Sequence, residues 1–165
     1  MQHKVKDIII DLLKGTGREG IENVIAYMTH DDVFFKKHCH SHHLYMGGLA
    51  DHSLQTLKMA IAKRDKYESR FPHAVKVGQE SLVLCSLLHD ICDCEPQFRR
   101  HGSLSIEILD RLGLVLSSEE RDAISKHMHD PRLSFKLDHK SLRYRLRKYI
   151  YSADKKSARK FKGYY

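Results

Sequence analysis

The sequence predicts an all-α fold, a compact helical bundle in a single domain, and three observations lead to it. Apolar residues recur at helical spacing in nearly every segment, no run alternates between apolar and polar residues as a strand does, and glycine and proline residues separate the periodic segments. With 165 residues the chain can bury a substantial core. No linker or internal repeat divides it, so we expect one domain over residues 1–165.

The first half of the chain predicts three helices. Apolar spacing marks one helix over residues 8–13 and a second over residues 21–28. Residues 36–43 are polar and without period, which indicates a loop. The Gly47-Gly48 pair is a turn signal, and a third helix is expected directly after it.

The later helices are separated by proline residues. An almost wholly apolar run over residues 82–88 predicts a buried helix, and residues 104–112 predict an amphipathic one. Ser117, followed by acidic residues, indicates a helix start, and the pattern continues through His127 and Met128 until Pro131 stops it. The last helix is predicted from Ser141 to about residue 160.

Positive charge is concentrated in the last part of the sequence. The net charge is +8, and residues 140–165 hold ten Lys and Arg residues against one acid, Asp154. Such a basic helix attracts phosphate-bearing ligands, from nucleotides to nucleic acid, while the alternative interpretation is a solvated helix face. No apolar run approaches the length of a membrane span, the first residues do not resemble a secretory signal, and the four Cys predict reduced thiols. We therefore expect a cytoplasmic protein without a membrane partner.

The strongest candidates for a functional site are His89 and Asp90, which close the apolar run over residues 82–88. A carboxylate at this position should be buried, and its burial is costly unless a positive charge such as a metal ion holds it. Asp154 continues a row of apolar residues spaced four apart on the last helix. His52 lies beside the apolar stripe of the third helix.

Two imidazoles and two carboxylates form a donor set that suits Fe, Mn, Co, Ni or Zn and leaves coordination positions for water or substrate. Each residue alone has a simpler explanation, since a lone His is more often structural and Asp154 could pair with Arg147 or a lysine. Their joint presence on apolar helix faces favours a site for a divalent transition metal. We expect one ion, and a second is left open.

The order of these residues resembles the H…HD…D signature of the HD-domain superfamily of metal-dependent phosphohydrolases. Three segments carry the resemblance: HHLYMGGLADHS over residues 42–53, which is similar to exoribonuclease-like members, LLHDI over residues 87–91, and ADK over residues 153–155. The resemblance covers residues 42–158, and the basic helix and tail span residues 140–165. It implies a helical fold in which His52, His89, Asp90 and Asp154 hold a metal ion, with Asp90 and His89 as catalytic residues.

Some members of this family carry a second metal ion, held by additional histidines between the doublet and the last aspartate. His101 and His127 lie in the matching regions of this chain and are the candidates for that role. His43 is expected near the mouth of the site. The other histidines of the first segment and the loop before it are expected to be solvated, namely His38, His40 and His42.

The chain departs from the family's pattern at Asp93, where many members have a Lys three residues after the aspartate of the doublet. A cation that faces the substrate phosphate is then expected from Arg99, Arg100 or Lys155. The first functional hypothesis is hydrolysis of a phosphate ester or anhydride, with a nucleotide or an oligonucleotide end as the substrate.

Two other functions remain as alternatives. One is a metal- or nucleotide-binding regulatory module with little turnover, which the missing Lys and the basic tail both allow. The other is a diiron oxygenase, because a few members of the superfamily use two irons for oxidation. That third hypothesis requires both His101 and His127 as ligands.

Overall fold

The computed structural model describes residues 2–39, 41–96, 101–134 and 137–160. The α-helices in this part of the chain are α1 (Gln2–Lys14), α2 (Ile21–Thr29), α3 (Val33–Lys36), α4 (Gly48–Arg70), α5 (Gln79–Leu88), α6 (His101–Arg111), α7 (Ser118–Ser125) and α8 (Leu142–Lys160). Short 3₁₀ turns occur at His30–Asp32, Ile91–Cys94 and Pro131–Leu133. The described residues contain no strand, so the predicted all-α class is confirmed. Within the same ranges, no helix combines the length and the apolar character that a membrane crossing requires.

The long helix α4 lies at the centre of the bundle. It packs against α8 and α5, while α7 packs against α8 and α6. The core between them is apolar, and side chains such as Leu49, Leu84 and Ile150 are completely buried. Burying a side chain of this size stabilises the fold by about 1.5–3 kcal/mol. This packing fixes the relative positions of α4, α5 and α8, which carry the predicted metal ligands.

The turn before α4 needs both of its glycines. Gly47 has a φ of 84°, which is the left-handed region that side chains other than glycine rarely adopt. A Cβ atom on Gly48 would lie 1.9 Å from the carbonyl oxygen of His43, so only glycine allows this approach. The two residues thereby fold the preceding loop back against the start of α4, close to His52.

Helix α7 begins as predicted but ends earlier. Ser117 Oγ accepts a hydrogen bond from the backbone N–H of Glu120, whose carboxylate accepts one from the N–H of Ser117, which forms a capping box. The prediction that this helix continues through His127 is wrong, because it ends at Ser125. The Nδ1–H of His127 donates to the carbonyl of Ile124 over 2.7 Å. That carbonyl would accept from residue 128 in a continuing helix, so the side chain of His127 takes the place of the next helical hydrogen bond.

Candidate metal centre

The four side chains predicted as metal ligands lie together in the core. His52 comes from α4, His89 and Asp90 come from the turn that follows α5, and Asp154 comes from α8. Both histidines are completely buried, and both aspartates are 5% exposed. The alternative partner for Asp154 does not apply, because Arg147 lies against Asp122 with Nη1 3.4 Å from Oδ2.

The donor atoms of these four residues face one another. The Nε2 atom of His52 lies 3.2 Å from Nε2 of His89, 3.5 Å from Oδ2 of Asp90 and 3.4 Å from Oδ1 of Asp154. The Nε2 atom of His89 lies 3.3 Å from Oδ2 of Asp90 and 4.0 Å from Oδ1 of Asp154. Ligands bound about 2.0–2.2 Å from one ion are separated from each other by about 3–4 Å. The spacing of His52, His89 and Asp90 therefore matches the shell of a single metal ion, and Asp154 lies near the two histidine nitrogens of that group.

A second group of donors shares Asp90 with the first. While Oδ2 of Asp90 faces His52 and His89, its Oδ1 lies 2.8 Å from Nε2 of His101 and 3.2 Å from Nε2 of His127. His101 is the first residue of α6, and His127 follows the end of α7. Both histidines named as candidates for a second ion thus lie beside the same carboxylate. Asp90 is placed so that its two oxygens could serve two adjacent ions.

Hydrogen bonds to the backbone orient two of the rings. His89 donates from Nδ1 to the carbonyl of Ser86 over 2.9 Å, as His127 does to the carbonyl of Ile124. Because a carbonyl oxygen can only accept, Nδ1 carries the proton in both rings. Each histidine therefore ends its own helix and turns Nε2 toward Asp90. Metal-bound histidines in proteins commonly have this arrangement of the remote nitrogen.

Two side chains orient the third ring in the same manner. The Nδ1 atom of His52 lies 3.1 Å from the hydroxyl oxygen of Ser157, and that hydroxyl donates to the Gln55 side-chain oxygen over 3.4 Å. Since Ser157 uses its proton toward Gln55, it accepts from Nδ1 of His52. The Nε2 atom of His52 is left to face the donor group.

The unpaired nitrogens show that a cation fits between these rings. The Nε2 atoms of His52 and His89 lie 3.2 Å apart, so a proton or a metal ion is needed between them to avoid repulsion of their lone pairs. The Nε2 atom of His127 is buried and has no hydrogen-bond partner among the described residues. Unsatisfied buried polar atoms of this kind are rare and costly, and a metal ion held at Oδ1 of Asp90 would satisfy this nitrogen.

The charges of the aspartates also favour a cation. Burial lowers the pKa of His89, but the negative charges of Asp90 and Asp154 outweigh it and raise the pKa to about 9. A hydrogen bond to Asp90 raises the pKa of His101 to about 11. Burial raises the pKa of the Asp90 carboxyl, but the neighbouring His89 and the hydrogen bond from His101 hold it well below its usual range. The cluster thus keeps its carboxylates ionised and attracts positive charge.

The loop before α4 brings further residues of metal-ligand type close to His52, and one of them had been expected in solvent. The prediction that His42 is solvated is wrong, because its ring is half-buried with its centroid 4.5 Å from that of His52. His43, expected near the mouth of the site, is 1% exposed, and its ring lies 5.1 Å from His52. Cys39, which is also buried, joins these three histidines in a group whose donor atoms lie within 4.8 Å of one another. His38 is exposed as expected, and His40 lies outside the described residues.

Of the residues that the sequence analysis linked to the substrate phosphate, the structure describes Asp93 and Lys155. Asp93, which stands where many relatives have a Lys, is buried with Oδ1 3.6 Å from Nδ1 of His101. Lys155 follows Asp154 on α8, and its side chain lines a cavity whose walls include none of the metal-ligand candidates. The predictions for Arg99 and Arg100 fall outside the described residues.

Comparison with known proteins assigns no family to this geometry. A scan against protein-family models, a search of curated proteins and a search of solved structures each found no match. The side chains themselves and the resemblance in the sequence are therefore the basis for a functional assignment.

Proposed function

We propose that this chain is a metal-dependent phosphohydrolase of the HD-domain type that cleaves a phosphate ester or anhydride, with a nucleotide or an oligonucleotide end as its substrate. The observation that carries the proposal is the position of Asp90, whose two oxygens face two different pairs of histidine Nε2 atoms. Buried donors collected from five parts of the chain are costly to maintain without a ligand. The order of the residues along the chain, which resembles the H…HD…D signature, is the second support.

The residues divide into two sets. The first ion would be held by His52, His89, Asp90 and Asp154, and a second by Asp90, His101 and His127. The donors are nitrogen and oxygen, which favours Fe, Mn, Co, Ni or Zn. When bound, a divalent ion of this kind lowers the pKa of a water molecule to about 7–9 and withdraws charge from a phosphorus atom that it contacts.

The remaining residues of the site position the ligands and adjust the charge around them. Ser157 and the carbonyls of Ser86 and Ile124 hold three rings with Nε2 toward Asp90. His42 lies beside this group, and burial lowers its pKa to about 4, so its ring is neutral near pH 7. A neutral imidazole can donate a hydrogen bond to a phosphate oxygen or accept one from a water molecule. We assign His42 this role at the substrate.

A metal assay combined with a substrate panel tests the proposal. Purified protein should contain one to two equivalents of transition metal by elemental analysis. It should release phosphate or a nucleoside monophosphate from at least one member of a panel of nucleotides and short oligonucleotides. An Asp90→Asn variant should lose both metal and turnover, whereas Asp65→Asn, a change at an exposed position of α4, should lose neither. Bound metal without turnover on any phosphate substrate would favour the regulatory binding module instead.

A diiron oxygenase is the second candidate, because His101 and His127 both lie within 3.2 Å of the shared carboxylate oxygen of Asp90. Such a site would contain two equivalents of iron and give the absorption bands of a bridged iron pair. Those bands should disappear in His127→Ala. A protein that is active on phosphate substrates with manganese or zinc alone would exclude this candidate.

A further inference from the structure

A basic cavity lies on the surface between α4, α8 and the Pro131–Leu133 turn. Its volume is about 360 Å³, which falls within the range of about 300–1,000 Å³ for small-molecule sites. Six cationic side chains line it, one from α4, one from the turn and four from a single face of α8: Lys63, Arg132, Lys148, Lys155, Lys156 and Arg159. None of the metal-ligand candidates lines this cavity, so it is distinct from the site described above.

The positive charge in this cavity is barely compensated. Asp130 is the one acid in its lining, and it is already bound by Arg132, with Nη2 2.6 Å from Oδ2. Lys63 donates a hydrogen bond to the hydroxyl of Ser152, which carries no charge. Among the residues that the structure describes, no carboxylate lies within ion-pair distance of the other five cations. About five positive charges therefore face one small space without counter-charges from the protein.

The pKa of Lys63 reflects the concentration of positive charge in this cavity. Burial lowers its pKa, and the charges of Lys148, Arg132 and Lys156 lower it further. Like charges held together in a concave, partly buried place repel one another more strongly than they do on an open surface. A ligand with several negative charges would relieve this repulsion, whereas a singly charged anion would relieve only part of it.

The aromatic residues of α8 distinguish between the possible anions. Proteins that bind single-stranded nucleic acid stack successive bases on several exposed aromatic rings. On α8, Tyr144 and Tyr149 are 4% and 1% exposed, so neither ring offers such a surface. Tyr151 is the one aromatic residue in the lining of the cavity. Concentrated charge with a single ring suits a compact polyphosphate better than an extended strand.

We propose that this cavity binds a compact polyphosphate, a chain of three or more linked phosphates. The phosphate chain could belong to a nucleoside triphosphate or to inorganic polyphosphate, since both present the same linked anionic groups. The site goes beyond the proposed hydrolase function and does not depend on it, because it shares no residue with the metal-ligand candidates.

Calorimetric titration of the 165-residue chain with inorganic tripolyphosphate tests this site. The double variant Lys156→Glu/Arg159→Glu changes two exposed residues and should bind at least about tenfold more weakly, because two attractions become repulsions. The matched control Lys4→Glu/Lys14→Glu makes the same change of net charge at exposed positions of α1 and should bind as the unmodified chain does. Asp90→Asn should also bind normally, which separates this site from the metal cluster.

Three results would overturn the proposal: equal weakening in both double variants, loss of binding in Asp90→Asn alone, or tighter binding of a single-stranded oligonucleotide than of tripolyphosphate at the same residues. Two further ligands identify the source of the phosphate chain. A nucleoside triphosphate that binds no better than tripolyphosphate indicates that the phosphates alone are recognised. Tighter binding of the nucleotide that falls to the tripolyphosphate level in Tyr151→Ala indicates a nucleotide ligand, with its base stacked on the ring.

Discussion

Replacement of Asp90 by Asn is the sharpest test of the metal cluster, because the two side chains have nearly the same shape and differ in charge. The Oδ2 atom of Asp90 lies 3.3 Å from Nε2 of His89, and its Oδ1 lies 2.8 Å from Nε2 of His101. The substitution therefore removes a carboxylate that both groups of donors share. Because the side chain keeps its size, the rise in Tm on addition of metal, measured within each variant, separates the effect on metal binding from an effect on folding.

The expected size of the effect follows from linkage. An ion that binds only the folded chain stabilises it by about 2.7 kcal/mol at 100 times its Kd. For a chain of 165 residues this corresponds to a rise in Tm of about 5–11 °C. If the loss of a charged ligand weakens binding about a hundredfold, the same ion concentration gives only about 0.4 kcal/mol, a rise of about 1–2 °C.

Thermal unfolding followed by circular dichroism measures this difference. The protein is first treated with a chelator, and Tm is then recorded as Mn²⁺ or Zn²⁺ is added to the unmodified chain, to Asp90→Asn and to Asp65→Asn. The Asp65 carboxylate is 59% exposed on α4, so its loss should not change the rise in Tm. The same rise in Asp90→Asn as in the unmodified chain would refute the metal site, and so would no rise in any of the three.

Three further predictions follow from contacts at the cluster and elsewhere in the bundle. Ser157→Ala removes the hydroxyl that orients the first histidine and should weaken metal binding about tenfold in competition with a chelating dye. Glu120→Gln should lower the free energy of unfolding in urea by about 2–4 kcal/mol, because it breaks a buried pair in which Arg18 donates over 2.8 and 3.0 Å. Burial raises the pKa of Glu120, but the hydrogen bonds from Arg18 outweigh burial and hold the pKa below 4.5. The loss of unfolding free energy in Glu120→Gln should therefore be complete above pH 4.5 and become smaller as the pH falls further. Gly102→Ala should cost about 1–3 kcal/mol, because a Cβ atom there would lie 2.4 Å from the carbonyl oxygen of Ser125.

Matched changes elsewhere serve as controls for two of these variants. Ser69→Ala removes an exposed hydroxyl near the end of α4 and should leave metal binding unchanged. Gly78→Ala places a Cβ atom where no atom lies within 4 Å, so its cost should stay well below that of Gly102→Ala. Equal costs of the two glycine variants would mean that contact with α7 is not the cause. A Glu120→Gln deficit that does not change with pH would contradict the ionised state of the Glu120–Arg18 pair.

The sequence predicted the longer helices and the residues that occupy core positions within them, but not the four-residue helix α3. Asp154 could be found because it continues an apolar row on α8. Leu142 at the start of that row is exposed, but Leu146 and Ile150, which lead to Asp154, are 1% and 0% exposed. His89 and Asp90 could be found because they follow an apolar run. In each case the helical period predicts the direction in which the side chain points.

The parts that could not be predicted depend on contacts without a period. His42 lies in a loop whose path is set by the turn at Gly47 and Gly48, and the side-chain pattern of that loop does not reveal which residues face α4. At the end of α7 the ring of His127 donates a hydrogen bond to the carbonyl of Ile124. The spacing of apolar residues does not reveal where a side chain competes with the backbone for a hydrogen-bond acceptor.

The end of α5 at Leu88, directly before His89 and Asp90, has an electrostatic consequence of its own. The last carbonyl groups of a helix carry the negative end of its macrodipole, equivalent to about half an elementary charge. This negative end points to the same place as the carboxylates of Asp90 and Asp154. The backbone therefore adds to the two carboxylates in favouring positive charge at this end of α5.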